Sequence, residues 1–164
     1  MLLAMPLATL IGALTLAMPT PSPLAGLGGC WRVTGTVEGK PTTAIARGSR
    51  RLGGRYLLFE LHGLNPRDPY DAAIIMADAG QGLITAWWMD SFGGPGSAAG
   101  KGGVIGSGFS ISYDYGSAVF INRFTPEGKG WRWQIDAKPT GKAATAFARY
   151  SLSPGRCGAG FSVF

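Results

Sequence analysis

Strand-length runs rich in apolar residues recur along the chain, separated by turn-forming glycine, proline, asparagine and aspartate. Three such runs stand together at Arg55 to Leu61, Tyr70 to Ala77 and Leu83 to Asp90. Asn65-Pro66 and Asp68-Pro69 break the first junction, and Asp78-Ala79-Gly80-Gln81-Gly82 breaks the second. Short strands with tight links read as an antiparallel meander, the unit of up-and-down barrels. Before this meander, Trp31 to Val37 and Thr42 to Arg51 read as strands, with turns at Glu38-Gly39-Lys40-Pro41 and Leu52-Gly53-Gly54. After it, Gly108 to Tyr113 and Trp131 to Asp136 alternate with period two, and Ala118 to Phe124 and Ala143 to Leu152 read as further strands. Turns at Glu127 to Gly130 and Pro139 to Lys142 separate the last of these. The glycine-rich segment from Ser91 to Gly103 reads as a flexible connection. With no convincing helix, the pattern predicts an all-β fold: one antiparallel up-and-down β-barrel of about nine or ten strands.

The ends depart from this pattern. Met1 to Ala25 carries no charged side chain, and its apolar core ends at Met18 before Pro19, Pro21 and Pro23. That length and those flanks suit a secretory leader better than a spanning helix. Thr15-Leu16-Ala17 offers a cleavage site and Ala25 a second one, although the n-region lacks Lys and Arg. The expected organisation is a leader over 1–25, a barrel over 26–153 and a glycine-rich tail over 154–164. Leu27-Gly28-Gly29-Cys30 has the outline of a lipidation motif, but Cys30 runs straight into a strand instead of a tether. The only other cysteine is Cys157. In an exported protein two cysteines form a disulfide by default, and the first and last strands of a closed barrel are neighbours. The alternative is a pair of buried free thiols. The expected location is periplasmic or secreted.

Composition narrows the picture further. Among 164 residues, 27 glycines and 11 prolines are too many for a helical bundle, while 46% hydrophobic residues argue against disorder. Fifteen Lys plus Arg against nine Asp plus Glu give a net charge of +6. Such a balance attracts nucleic acid, anionic lipid or acidic ligands. The densest cationic run, Arg47-Gly48-Ser49-Arg50-Arg51, is short and the other cations are scattered, so no nucleic-acid footprint is expected.

Three short motifs carry a resemblance. They are Leu27-Gly28-Gly29-Cys30-Trp31, Gly54-Arg55-Tyr56-Leu57, and Trp87-Trp88-Met89-Asp90-Ser91-Phe92-Gly93. Over Leu27 to Leu152 the chain resembles a bacterial family of uncharacterised lipocalin-like β-barrel proteins. The resemblance implies a calycin-type barrel and brings no activity with it. Met76-Ala77-Asp78 stands where that family has Gly-Tyr-Asp, and the tail after Pro154 has no counterpart.

Candidate chemistry is sparse. His62 is the only histidine and, by period two, shares a strand face with Tyr56, Leu58 and Glu60. If that face points inward, Glu60 and His62 form an acid–base or polar-binding pair. If Leu57, Phe59 and Leu61 point inward, the pair is solvated. Some calycin-like barrels hold haem on one histidine, but no motif around His62 matches them, and no cofactor is expected. Two cysteines and one histidine offer no zinc spacing, and no metal is expected. No serine sits in a nucleophile elbow and no glycine loop ends in Gly-Lys-Ser/Thr, so no catalytic residue is assigned. Aromatic side chains in a barrel either fill it or line an apolar cavity. The expected function is therefore non-catalytic binding of a small hydrophobic or amphipathic molecule. Trp87, Trp131 and Trp133 would form the wall, and an inward Arg123 or the Glu60/His62 pair would hold a polar end. The alternatives are a filled barrel that binds a partner in the envelope and an enzyme built on a cavity Glu60/His62 pair. Membrane association is expected only with an uncleaved leader or a lipidated Cys30.

Overall fold

The computed structural model describes residues 22–158 and Phe161. Residues 1–21 of the expected leader lie outside the described residues, as do residues 159, 160 and 162–164 of the tail. The strands are β1 Gly29–Val37, β2 Lys40–Arg51, β3 Tyr56–Gly63, β4 Asp71–Gly80 and β5 Leu83–Asp90. They continue as β6 Ala98–Ile105, β7 Gly108–Asp114, β8 Ala118–Glu127, β9 Gly130–Pro139 and β10 Thr145–Pro154. Each pairs antiparallel with its sequence neighbours, and β1 pairs with β10, so ten strands close into a barrel. Closure leaves no unpaired edge for another chain to extend.

One predicted segment is corrected. The stretch from Ser91 to Gly103 is not a flexible connection throughout, because its second half is β6. Its glycines are there for close packing. A Cβ on Gly100 would stand 2.5 Å from the Tyr113 ring and 2.8 Å from Ile111. The glycines that signalled a loop instead let a thin strand lie against large inward side chains.

Two ends follow from the alternation. The β2–β3, β4–β5, β6–β7 and β8–β9 turns share one end with the start of β1 and the finish of β10. The 3-10 helix Pro23–Leu27 plugs this end, with Leu24 and Leu27 buried. Trp31 Nε1 donates to Leu27 O and Trp131 Nε1 donates to Gly26 O, each at 3.0 Å. A Cβ on Gly26 would meet the Trp131 ring at 2.7 Å, so only glycine lets the plug sit so deep. The packed unit thus starts ahead of residue 26.

The interior is filled by rings. Phe109 stacks on Phe124 with centroids 4.8 Å apart, and Phe124 on Trp133 at 5.0 Å. Tyr150 lies 4.8 Å from Trp133, while Phe59 presents its edge to both Phe124 and Trp133. The buried Asn122 accepts from Trp133 Nε1 at 2.8 Å, satisfying the indole donor in the core. Cys30 and Cys157 form a disulfide, with Cα atoms 5.5 Å apart. Joining residues 127 positions apart stabilises by about 4–5 kcal/mol at most in the chain-entropy account.

Candidate functional site

The β3 face is decided by packing. Leu57, Phe59 and Leu61 join the core, which turns Tyr56, Leu58, Glu60 and His62 to the outer wall. The two polar residues then go separate ways. Glu60 accepts from Arg47 Nε and Nη2 of β2, at 3.2 and 2.8 Å. His62 Nδ1 lies 2.6 Å from Asp71 Oδ1 of β4. This removes the geometry that a cavity acid–base pair requires. Glu60 is nonetheless 0% exposed, because the chain beyond β10 folds back across this part of the wall. Cys157 is fixed to Cys30 there, and Phe161 lies 5.3 Å from the Arg47 guanidinium and 6.3 Å from the His62 ring. Sequence reasoning missed this strap, since nothing in a glycine-rich tail says where it lands.

The tryptophans divide. Trp131 and Trp133 are inward and buried. Trp87 faces outward at 43% exposure, while its neighbour Trp88 is buried inside. Arg123 also faces outward. The inward residues of its strand are Asn122 and Phe124, and the Arg123 guanidinium pairs with Asp136, which also takes Arg149. Burial alone would raise the Asp136 carboxyl, but hydrogen bonds from Arg149 and Arg123 outweigh it and hold the pKa below its ordinary value.

The unplugged end is closed by its own network. Asp90 Oδ2 accepts from the Tyr70 hydroxyl at 3.2 Å and Trp88 Nε1 at 3.0 Å, and Oδ1 accepts from the Phe92 amide at 3.0 Å. Burial, then the Asp90 charge, pushes the Tyr70 phenol well above its usual range. Burial pushes Tyr150 up to about 12. Tyr113 is buried with a hydroxyl that has no hydrogen-bond partner among the described residues, and burial raises its pKa strongly.

Neither of the two best-formed concavities opens into the barrel. One, of about 480 Å³, lies on the outer wall beside the start of the strap, among Arg32, Ile45, Leu64 and Arg156. The other, of about 300 Å³, lies on the wall of β3, β4 and β5 and is lined by Arg51, Leu52, Tyr56, Leu58, Ile75 and Trp87. Register builds it: Leu58 is opposite Ile75, and Ile75 opposite Trp87, so three apolar side chains form one row across neighbouring strands. Its exposed surface is entirely apolar, with Arg51 among the residues that line it. This groove is the candidate site.

Among solved structures, the chain is similar to the crystal structure of Rv2717c from M. tuberculosis. The TM-score is 0.56 at 13% identity, covering 84% of this chain and 99% of that one. That likeness shows the fold. A redesigned β-barrel matches at a TM-score of 0.43 and 13% identity, over 82% of this chain and 96% of that one. No protein-family model and no curated protein matches the chain. No group of three or more His, Cys, Asp or Glu that could hold a metal ion occurs among the described residues.

Proposed function

We propose that this is an exported, non-catalytic binding barrel that works from its outer wall. The Trp87 groove takes the apolar part of a small amphipathic molecule, and its lining residue Arg51 meets the polar end. One contrast carries the reading: aromatic rings fill the interior, whereas Trp87 stands 43% exposed in an apolar row. An exposed indole grouped with half-buried apolar side chains in a concavity of the outer wall favours binding there. The disulfide and the uncharged N-terminal run support the extracytoplasmic setting.

The test is displacement of a hydrophobic dye by a series of fatty acids, in the native protein and in Trp87→Ser and Trp133→Phe variants. Trp87→Ser is expected to weaken binding about tenfold, while Trp133→Phe leaves it unchanged; tenfold corresponds to about 1.4 kcal/mol. The reverse pattern overturns the outer-wall reading and favours a ligand inside the barrel, walled by Trp131 and Trp133. The unpartnered Tyr113 hydroxyl in the apolar interior is the observation on that side. Native mass spectrometry of the purified protein then identifies any molecule carried.

A further inference from the structure

We infer that the plugged end of the barrel docks on an anionic phospholipid bilayer. The inference rests on the outer-wall reading above, because the Trp87 groove opens towards the same end. Cations distant in sequence share this end: Arg50, Arg51 and Arg55 at the β2–β3 turn and Lys129 at the β8–β9 turn. All four are exposed. The two acids of this end are engaged already, Asp78 with the Gly80 amide and Glu127 with Arg132. The four cations have no carboxylate partner among the described residues. The opposite end carries the acids Glu38, Asp68, Asp71, Asp90 and Asp114 against the cations Lys40, Arg67, Lys138 and Lys142, so its charges nearly cancel. The net positive charge is therefore concentrated where the plug lies.

Apolar side chains stand among these cations. Leu52 is 77% exposed at the tip of its turn, Ile105 63%, Leu83 57% and Val104 45%. Leu52 also holds a φ of 49°, a left-handed conformation that glycine or asparagine takes more readily. A bare leucine kept in a strained turn beside three arginines is a poor choice for a surface facing only water. Cations around shallow apolar tips match the chemistry of a lipid interface, with phosphates above and acyl chains below. Trp87 stands four residues along β5 from Leu83, about 13 Å along the strand, where an indole meets the headgroup layer. The uncharged run Met1 to Ala25 joins the fold at this same end, through the 3-10 helix.

The experiment is co-sedimentation of the full chain with vesicles of phosphatidylcholine alone or mixed with phosphatidylglycerol, at low and high salt. The N-terminal apolar run partitions into both lipids alike and cannot by itself create a preference. Binding at least about tenfold tighter to the anionic vesicles, weakened by salt, is expected. Combined Arg50→Glu, Arg51→Glu and Arg55→Glu should weaken it by about 100-fold, at about fivefold or more for each cation lost. Leu52→Ser with Ile105→Ser should also weaken it, with an unchanged melting curve. Equal binding to both lipids overturns the inference, and so does binding indifferent to the leucine and isoleucine changes but matched by duplex DNA. If the arginine variant does not fold, the lipid and salt dependence of the native protein still decides. Vesicle preference lost with dye displacement intact sinks the membrane docking alone; loss of both sinks the groove reading as well.

Discussion

Two neighbouring stretches of the outer wall share strand β3 and are treated in opposite ways. Over β1, β2 and β3 the wall is covered: the strap from Pro154 crosses it, the disulfide fixes it, and Arg47 and Glu60 pair beneath it. Over β3, β4 and β5 no described segment crosses the groove, where Trp87 is exposed and Tyr56, Leu58 and Ile75 are half-buried. The chain spends a disulfide and a buried ion pair on one side and leaves an apolar row on the other. Among the described residues, a fold that covers its outer wall next door leaves this part open.

That comparison can be broken or sharpened by mutation. The largest effect is expected from Cys30→Ser with Cys157→Ser, which should lower stability by up to about 4–5 kcal/mol in a denaturant titration. Hydrogen exchange should quicken under the strap and stay unchanged along β5; equal quickening would mean the strap supports the whole barrel. Next comes Glu60→Ala. It should cost about 2–3 kcal/mol, below the full penalty for a broken buried pair because Arg47 retains some contact with solvent. Adding Arg47→Ala should recover part of the loss, and strictly additive costs would show that the two residues act separately.

A smaller effect concerns the third part of the wall, where Arg123, Asp136 and Arg149 pair. The Asp136 pKa is lower in the folded protein than its ordinary 3.8. Its contribution to stability is therefore complete above that value and disappears as pH falls through the lower folded value. Asp136→Asn should flatten this acid limb of the stability curve, and an identical limb in both proteins would assign it to other carboxylates. The smallest effect is expected for Trp87→Ser, within about 0.5 kcal/mol of the native protein in thermal melts. A loss of several kcal/mol there would make the bare wall structural and remove the contrast.

The strands were legible because alternation and turn residues carry most of a barrel. β6 was not, since Gly100 and Gly102 serve packing there and look the same as loop glycines. The orientation of β3 was undecidable locally, because both of its faces carry large side chains; only the ring cluster around Phe59 settles it. Arg123 was grouped correctly with Val119 and Ile121, yet that whole set faces outward. The inward place belongs to an asparagine that a tryptophan satisfies. Of the expected site, Trp87 alone lines the candidate groove, while Trp131 and Trp133 belong to the core. The cationic end was invisible in one dimension because its residues come from separate turns that the barrel brings together.

The bond between Cys30 and Cys157 also makes a covalent ring of nearly the whole barrel, with both emerging ends of the chain at the same pole. Tension applied to those two ends crosses the sulfur–sulfur bond without reaching the strands between. Pulled by its termini, the protein would lengthen only through the short segments outside the ring. The barrel would then behave as a mechanically shielded bead, keeping its shape and its open groove under a load that would unzip the same sheet if it were unbridged.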